Sequence, residues 1–496
     1  MSSKKTRSKT PSFVLTLKLN TSIRDEQVLH ERFFKGFLMH NRLVEHARKC
    51  LRGLRQDKRY RALMAEYHTI KEDSADTKKE RVRIGKLLSD VRMEYGLSEY
   101  QFHAWIATQQ HRYIKYIDSN TAQKIATSVW SAVETVLFRK GKSIHFQKFE
   151  NFLSMEGKSN ASGIRFSKGR LCWLGLEIQP QLRKDDTYAR EALTHRVKYC
   201  RIVRKPMGTK YHYYLQLILE GLPPQKHTFL KNGRVGIDPG VSTEAVVSER
   251  GCLLAELAPE REDISKEIRR IQRRMDRSRR TTNPDNYNPD GTIKKQQARK
   301  KWQYSNNYKQ DRMRLKTLRR RNADTVKQSE ERLANEILCN HGSDIHTEKM
   351  SYAGLAARTK ADTINPATGR HRSRKRFGTS IAGHAPSRFL MTLDRKLHYI
   401  GKEVDFVDTW SFKASQYDHV ADTYTKVPLS VRWKNIGGYT VQRDLYSAFL
   451  LMNAASTTSI DHTLCNNTFS QFLINHERCI HQLAVNGIHK RATFGT

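Results

Sequence analysis

The chain has 496 residues, enough for about three domains, and 38% of them are hydrophobic, which excludes wholesale disorder. Lys and Arg number 90 against 50 Asp and Glu, a formal net charge of +40. So large a surplus repels itself in a compact fold unless a polyanion neutralises it, which favours nucleic acid as the partner.

Membrane and secreted classes are disfavoured. No apolar run approaches the ~18 residues of a membrane-spanning helix, no lipidation motif is present, and the N-terminal MSSKKTRSKTPS lacks the apolar core of a secretory signal. The seven cysteines are odd in number and scattered, which indicates reduced thiols. We therefore expect no membrane partner and a cytosol-like compartment.

The first part of the chain predicts strands interrupted by helices. Residues 13–19 alternate like a strand, helical spacing runs from about 25 to 138, and strand-like segments return between 143 and 220. This pattern predicts a small β-barrel, with its first strand and a basic tail in 1–24, a helical recognition domain in 25–140 and the remaining strands in 141–224. Aromatic and basic residues interleave in those strands, which suits either base stacking or a barrel core.

The segment 234–241 (RVGIDPGV) reads as a short apolar strand that presents Asp238 and then turns at Pro239-Gly240. Two further apolar runs, 245–247 and 253–255, follow across short turns and predict a meander. An Asp at the end of a first, central strand is typical of the metal site of RNase H-like nucleases. The alternative is an Asp that only caps a turn.

Two arginine-rich helical regions are predicted next, around 264–275 and from about 294 to 340, followed by a basic, turn-rich loop at 354–377. Solvated charged faces are the ordinary interpretation of such runs, but their insertion directly after the Asp238 strand favours nucleic-acid contact. The candidate contacts are Arg269, Arg270, Arg273, Arg274, Arg277, Arg319, Arg320, Arg372, Arg374, Lys375 and Arg376.

Two more acidic residues complete a candidate catalytic set. Glu348 ends a strand-like segment at 343–350, and Asp444 lies in the first turn of a predicted helix, where an N-terminal cap is the alternative role. Phosphodiester hydrolysis by two Mg²⁺ ions about 3.5–4 Å apart uses carboxylate ligands, with Mn²⁺ able to substitute. We predict that Asp238, Glu348 and Asp444 are catalytic and bind these metals.

At these segments the chain resembles the RuvC-like nucleases of the TnpB type, encoded by transposons, and the related compact type V CRISPR effectors. The resemblance rests on Gly-Ile-Asp-Pro-Gly at 236–240, the strand of Glu348, and Arg443-Asp444 followed by Ser447-Ala448 and Asn453. It implies an RNA-guided DNA endonuclease in the prokaryotic cytosol or nucleoid, with guide RNA as a cofactor and double-stranded target DNA as a partner. The guide would come from a transposon end or a CRISPR array, and either one copy or a homodimer would assemble on it. Arg443 would orient the substrate phosphate.

The resemblance also implies a multidomain α+β layout in which inserted segments split an RNase H-like (RuvC) domain. Its three parts would be 225–260, 341–409 and 441–455, with a basic helical insertion at 261–340 and a target-strand-loading insertion at 410–440. Residues 456–496 match nothing in this layout and remain unassigned.

One feature departs from the family, which commonly carries a four-cysteine zinc ribbon before the third carboxylate. No cysteine occurs between Trp410 and Arg443, so we expect no zinc there. Packing would have to hold the insertion instead, and the candidates for it are Trp410, Tyr417, Tyr424 and Trp433. A C-terminal group matches no zinc motif in its spacing, namely His462, Cys465, His476, Cys479 and His481.

Three other functions compete with the nuclease. An unguided RNase H-like transposase, or strand-transferase, would use the same carboxylates. A nuclease-inactive RNA-guided DNA-binding regulator would not need all three acids. A basic ribosome- or RNA-associated protein would explain the charge but not the ordered acids.

Overall fold

The computed structural model describes residues 10–70, 74–139, 141–208, 210–224, 230–295, 300–357, 364, 377–428 and 430–486. Within them the chain is mixed α+β and divides into two compact units, Met1–Lys226 and His227–Thr496. All seven cysteines fall in the described ranges and are free thiols. No helix in those ranges combines the length and apolar character needed to span a bilayer.

The first unit contains six helices and seven strands among its described residues. The helices are α1 Ile23–Gln56, α2 Lys58–Thr69, α3 Ala75–Glu94, α4 Glu99–Gln110, α5 Ser119–Phe138 and α6 Thr187–Ala192. The strands are β1 Ser12–Lys18, β2 Ser154–Glu156, β3 Arg165–Ser167, β4 Arg170–Trp173, β5 Leu176–Ile178, β6 Val197–Met207 and β7 Lys210–Glu220.

The strands of this unit form two separate antiparallel sheets, in the orders β1-β7-β6-β2 and β3-β4-β5. The predicted β-barrel is therefore wrong for the described residues, where no sheet closes. β2 to β5 are only three or four residues long, β3 to β5 pair with one another, and the chain after β5 meets the end of β1 only through the isolated bridge of Leu19 with Pro180. The alternating side chains of β1 are buried on one face only, and they share a core with the apolar stripes of α1 and α5.

The second unit contains nine strands and eight helices among its described residues. The strands are β8 Arg234–Pro239, β9 Thr243–Ser248, β10 Gly251–Glu256, β11 Asp344–Glu348, β12 Asp405–Val407, β13 Tyr417–Asp418, β14 Thr423–Tyr424, β15 Trp433–Ile436 and β16 Tyr439–Gln442. The helices are α7 Ser265–Thr282, α8 Asn306–Glu336, α9 Tyr352–Ala356, α10 Gly378–His384, α11 Pro386–His398, α12 Thr409–Phe412, α13 Arg443–Met452 and α14 His462–Val485.

A five-stranded sheet of order β10-β9-β8-β11-β12 is the centre of this unit. The predicted meander is confirmed: β8, β9 and β10 are successive antiparallel neighbours. β11 then pairs parallel to β8, and β12 parallel to β11. Because β8 and β11 run in the same direction, their carboxyl ends meet at one edge of the sheet.

Helices cover both faces of this sheet. Leu333 of α8 and Phe389 of α11 pack with Val235 on one face, while α13 and α14 pack on the other. α13 approaches β8 so closely that a Cβ on Gly236 would overlap the carbonyl oxygen of Ala448. Only glycine fits this contact, which places the first turn of α13 over the end of β8.

Candidate functional site

Asp238 and Glu348 lie at the carboxyl ends of neighbouring parallel strands. Ile237 and Thr347, the residues just before them, face each other in the β8–β11 register, and the Thr347 hydroxyl donates to the Ile237 carbonyl at 2.8 Å. Asp238 and Glu348 are both partly buried, and neither side chain has a hydrogen-bond or ion-pair partner among the described residues. Two acceptor-only groups are thus placed side by side.

Asp444 lies in the first turn of α13, as predicted, and its two carboxylate oxygens are occupied. Arg443 donates to Oδ1 through Nη2 at 2.9 Å, Arg432 donates to Oδ2 at 3.3 Å, and the Gln442 amide donates to Oδ2 at 3.2 Å. Gln442 is also the N-cap, because its Oε1 accepts from the Leu445 backbone N–H at 2.7 Å. Two guanidinium groups therefore neutralise this acid.

The electrostatics connect the three predicted acids. Burial, then the negative charges of Glu348 and Asp444, raise the pKa of Asp238 well above its ordinary value, against the opposing effect of Arg443 and Arg432. Burial also raises the pKa of Glu348. Since charge on one acid disfavours ionisation of the next, a cation at this edge of the sheet would relieve the repulsion.

These residues fit a hard divalent cation in part. Asp238 and Glu348 offer unpartnered oxygen ligands, the donors that Mg²⁺ prefers. Among the described residues, however, no group of three or more His, Cys, Asp or Glu is gathered closely enough to hold a metal ion. Asp444 becomes available as a third ligand only when its bonds to Arg432 and Arg443 open. Arg443 itself is buried, and its Nη1 also donates to the Val431 carbonyl at 3.1 Å.

A fourth acid, Glu244 on β9, was not anticipated from the sequence. It is fully buried, and neither carboxylate oxygen has a hydrogen-bond partner among the described residues. Burial, and then the charge of Asp238, raise its pKa. Glu244 faces Pro239 in the register, so it lies on the opposite face of the sheet from Asp238. Its position directly before the apolar run 245–247 gave no signal that could have distinguished it.

Four of the five predicted arginines of α7 lie in one exposed stripe. At 3.6 residues per turn, the stripe covers about 100° of the helix circumference over a length of about 21 Å. Its members are Lys266, Arg269, Arg270, Arg273, Arg277 and Arg280. The apolar residue Ile271 is buried on the opposite side. The stripe could therefore follow a run of phosphates.

Other predicted arginines are partly occupied within the protein. Arg274 forms an ion pair with Asp311, and Arg320 forms one with Asp324 at 2.8 Å. The Arg274 pair holds α7 against α8, and the two helices enclose a polar cleft of 860 Å³. Arg319 is exposed. Arg372, Arg374, Lys375 and Arg376 lie outside the described residues.

The cysteine-free insertion is held by packing, but only in part by the predicted residues. Tyr417 is buried, whereas Trp410 and Tyr424 are 84% and 55% exposed. The anchor is His419, which is fully buried and hydrogen-bonded through Nδ1 to the Tyr446 hydroxyl at 2.7 Å. Its ring also meets that of Phe469 edge-on, at 4.6 Å between centroids. Imidazole and aromatic contacts to α13 and α14 thus hold the insertion in place.

The unassigned C-terminal segment supplies α14, which supports the site. His476 Nε2 accepts a hydrogen bond from the backbone N–H of Gln442 at 2.9 Å, and Asn475 donates to the Glu249 carbonyl at 3.1 Å. His462 instead contacts the His419 carbonyl at 2.7 Å. The histidines and cysteines of this helix therefore do not form a metal cluster among the described residues.

Comparison with known proteins gave no family model and no curated protein that matches the chain. Among solved structures, a cryo-EM structure of the Cas12f1–sgRNA–target DNA complex is 11% identical, covering 90% of this chain and 99% of that chain, with a TM-score of 0.41. A cryo-EM structure of a CRISPR–Cas12f ternary complex is also 11% identical, covering 89% and 87%, with a TM-score of 0.24. At these scores neither likeness bears on the fold or function of this chain.

Proposed function

We propose that the protein is an RNA-guided, divalent-metal-dependent DNA endonuclease. The observation that carries the proposal is the arrangement of Asp238, Glu348 and Asp444. Two of these acids end adjacent parallel strands, the third opens the helix packed over them, and burial together with the charges of the other two raises the pKa of Asp238. An acid whose pKa is raised by burial and by neighbouring charges is typical of a catalytic site.

The strand order supports an RNase H-like, RuvC-type nuclease split by insertions. Three antiparallel strands followed by two parallel ones, in the order 3-2-1-4-5, place the first acid on the central strand. In the sequence, the long arginine-bearing helices α7 and α8 come after the third strand of the sheet, β10, and before the fourth, β11. The small hairpins of residues 417–442 lie between the fifth strand and the helix of Asp444.

The acidic residues and the arginines of the site would have different roles in hydrolysis. Bound divalent cations would supply an activated water and neutralise charge on the leaving oxygen. Asp238 and Glu348 would hold them through unpartnered oxygens. Arg432 and Arg443, now bonded to Asp444, would release that carboxylate and turn to the scissile phosphate, whose oxygens also accept hydrogen bonds from guanidinium groups.

The guide RNA and target DNA are proposed from the sequence motifs at 236–240, 348 and 443–453 and from the net charge of +40. Base pairing with the guide would select the target, while the protein would bind the backbone and read a short adjacent motif. The stripe on α7 is the proposed contact with that backbone. The measured mass of the complex would show whether it contains one copy of the chain or two.

The exposed aromatic residues of the insertion are the proposed route of the DNA strand into the site. Trp410 is 84% exposed, and Tyr424 is 55% exposed although its ring lies 4.8 Å from that of Tyr417. Lys413 lies 6.0 Å from the Tyr424 ring centroid, so a cation accompanies the aromatic surface. Stacked bases and neutralised phosphates are how single strands are held without sequence preference.

Sequencing of the RNA that co-purifies with the protein from its own locus tests guidance directly. One discrete structured RNA with a variable end supports the proposal and distinguishes a transposon-end RNA from a CRISPR RNA. Heterogeneous RNA, or none, would favour the unguided strand-transferase. A discrete RNA with target binding but no cleavage in Mg²⁺ would favour the regulator.

A further inference from the structure

The first unit has a basic groove between α1 and the segment that follows α5, separate from the acids and the arginine stripe of the second unit. The extended segment 142–148 lies along α1 and is fastened at both ends. The Asn41 amide donates to the Gln147 carbonyl and accepts from its N–H, both at 3.0 Å, and Arg55 donates to the Lys142 carbonyl at 3.2 Å. Between these fastenings the segment and the helix enclose a pocket of 320 Å³.

The pocket combines an apolar floor with a cationic wall. Leu51 and Ile144 are buried beneath it, and Arg48, Arg52 and Arg55 line one side as exposed residues. No acidic residue is among the described residues that line it. Glu45, one turn before the wall, is paired with Lys49 at 3.5 Å.

An aromatic ring stands beside the arginines. Phe146 is 50% exposed, and the Arg48 guanidinium carbon lies 5.2 Å from its ring centroid. Three arginines on one side of a helix repel one another and cost helix stability in the free protein. An anion with a flat apolar body would satisfy both the cationic wall and the open ring face.

We propose that this pocket, together with the Phe146 ring that lies against its Arg48, binds one unpaired nucleotide of a nucleic-acid strand. The pocket is lined by Arg48, Leu51, Arg52, Arg55, Gln56, Ser143 and Ile144. The base would lie on the apolar floor against Phe146, and its flanking phosphates would contact the arginines. A base can lie on this floor only when it is unpaired and out of its stack, so the site would select single strands over duplex. The inference rests on the proposed nucleic-acid function, and it concerns the first unit alone.

The test uses the full-length protein freed of nucleic acid and a labelled single strand of about twelve nucleotides, as RNA or as DNA, beside its duplex. Phe146→Ala should weaken single-strand binding roughly tenfold, leave duplex binding unchanged, and be rescued by Phe146→Trp. Changing Arg48, Arg52 and Arg55 to Gln should lower the salt slope by about 2. An RNA or DNA preference of the wild type identifies the source of the nucleotide.

The chain offers a matched control in Phe138, which is 54% exposed and whose ring lies 4.8 Å from Arg92, an arginine that does not line this pocket. Phe138→Ala should leave single-strand binding unchanged. Photocrosslinking of a 5-iodouracil-containing strand should map to Phe146 in the wild type. Equal losses for Phe146→Ala and Phe138→Ala, or for single strand and duplex, would overturn the proposal, as would crosslinks elsewhere only.

These outcomes are separable from failure of the proposed nuclease. Cleavage depends on Asp238 and its neighbours in the second unit, so a protein that never cuts DNA can still bind a nucleotide here. Thermal unfolding of each variant shows whether a loss of binding reflects a loss of fold.

Discussion

His476 Nε2 accepts a hydrogen bond from the Gln442 backbone N–H at 2.9 Å, and both residues are buried. Gln442 caps the helix of Asp444 and donates to its carboxylate. One bond from the C-terminal helix therefore fixes the residue that positions the third acid of the candidate site.

Replacing His476 by Ala should destabilise the protein by about 1–3 kcal/mol, because the buried N–H of Gln442 loses its acceptor. Urea unfolding measures the change. The matched control is His481→Ala on the exposed side of the same helix, which should alter stability by less than about 0.5 kcal/mol. Equal effects of the two variants would show that the bond does not support the site.

The stability of the His476→Ala variant should also depend on pH differently from that of the wild type. Burial lowers the pKa of His476 from 6.5 to about 4. As the pH falls, the unfolded chain takes up a proton on this imidazole near pH 6.5, whereas the folded protein takes it up only near pH 4. The free energy of unfolding therefore decreases between these two pH values, by up to about 3 kcal/mol. His476→Ala should show a shallower acid decline than the wild type.

Asp238→Asn should stabilise the metal-free protein by about 1 kcal/mol, because it removes a buried charge beside Glu348. Because the pKa of Asp238 is raised above 3.8 in the folded protein, this group contributes to stability at low pH and the contribution is lost as the pH rises. The free energy of unfolding of Asp238→Asn should therefore depend less on pH than that of the wild type. Mg²⁺ should raise the Tm of the wild type and of the control Asp285→Asn, but not of Asp238→Asn. The same Mg²⁺ shift in all three proteins would remove Asp238 from the metal site.

Changing Arg269, Arg270, Arg273 and Arg277 to Gln should weaken nucleic-acid binding and reduce the slope of log K against log salt by about 3. The reason is that each arginine releases counterions from one phosphate. A control variant of the ion-paired Arg332 and Arg395 should change the slope by less than about 1. An unchanged slope in the fourfold variant means that the stripe on α7 is only a solvated face.

Trp410→Ala should slow target cleavage roughly 5- to 50-fold while leaving the fold intact, because the side chain is 84% exposed and packs nothing. Single-turnover cleavage and thermal unfolding measure the two effects. Tyr100→Ala, at a residue 83% exposed in the first unit, is the control. Cleavage at the wild-type rate would exclude Trp410 from the path of the strand.

Sequence patterning predicted the local elements around the acids well. The apolar runs predicted at 234–241, 245–247 and 253–255 and the strand of Glu348 became neighbours in one sheet, because apolar runs and turn residues are local properties of the sequence. The arginine-rich helix predicted around 264–275 formed as α7 for the same reason. The order of Asp238, Glu348 and Asp444 then sufficed to propose the site.

Non-local pairing is what the sequence could not supply. The short strands β2 to β5 were predicted to close a barrel, yet their partners depend on contacts across the chain rather than on alternation. The bonds of Asp444 to Arg432 and the bracing by His476 join residues 12 and 34 positions from their partners, and no local pattern marks them. Trp410 was predicted to pack because aromatic residues usually do, but His419 took that role.

Programmed cleavage tests the central claim most directly. The co-purified RNA would be rewritten at its variable end to pair with a chosen duplex carrying the natural flanking sequence, and the cut products would be counted with Mg²⁺ present. We predict cutting of the chosen duplex only, abolished by Asp238→Asn although that variant still binds the RNA. Cutting that ignores the rewritten guide, or that survives the Asp238 substitution, would contradict an RNA-guided nuclease acting through these three acids.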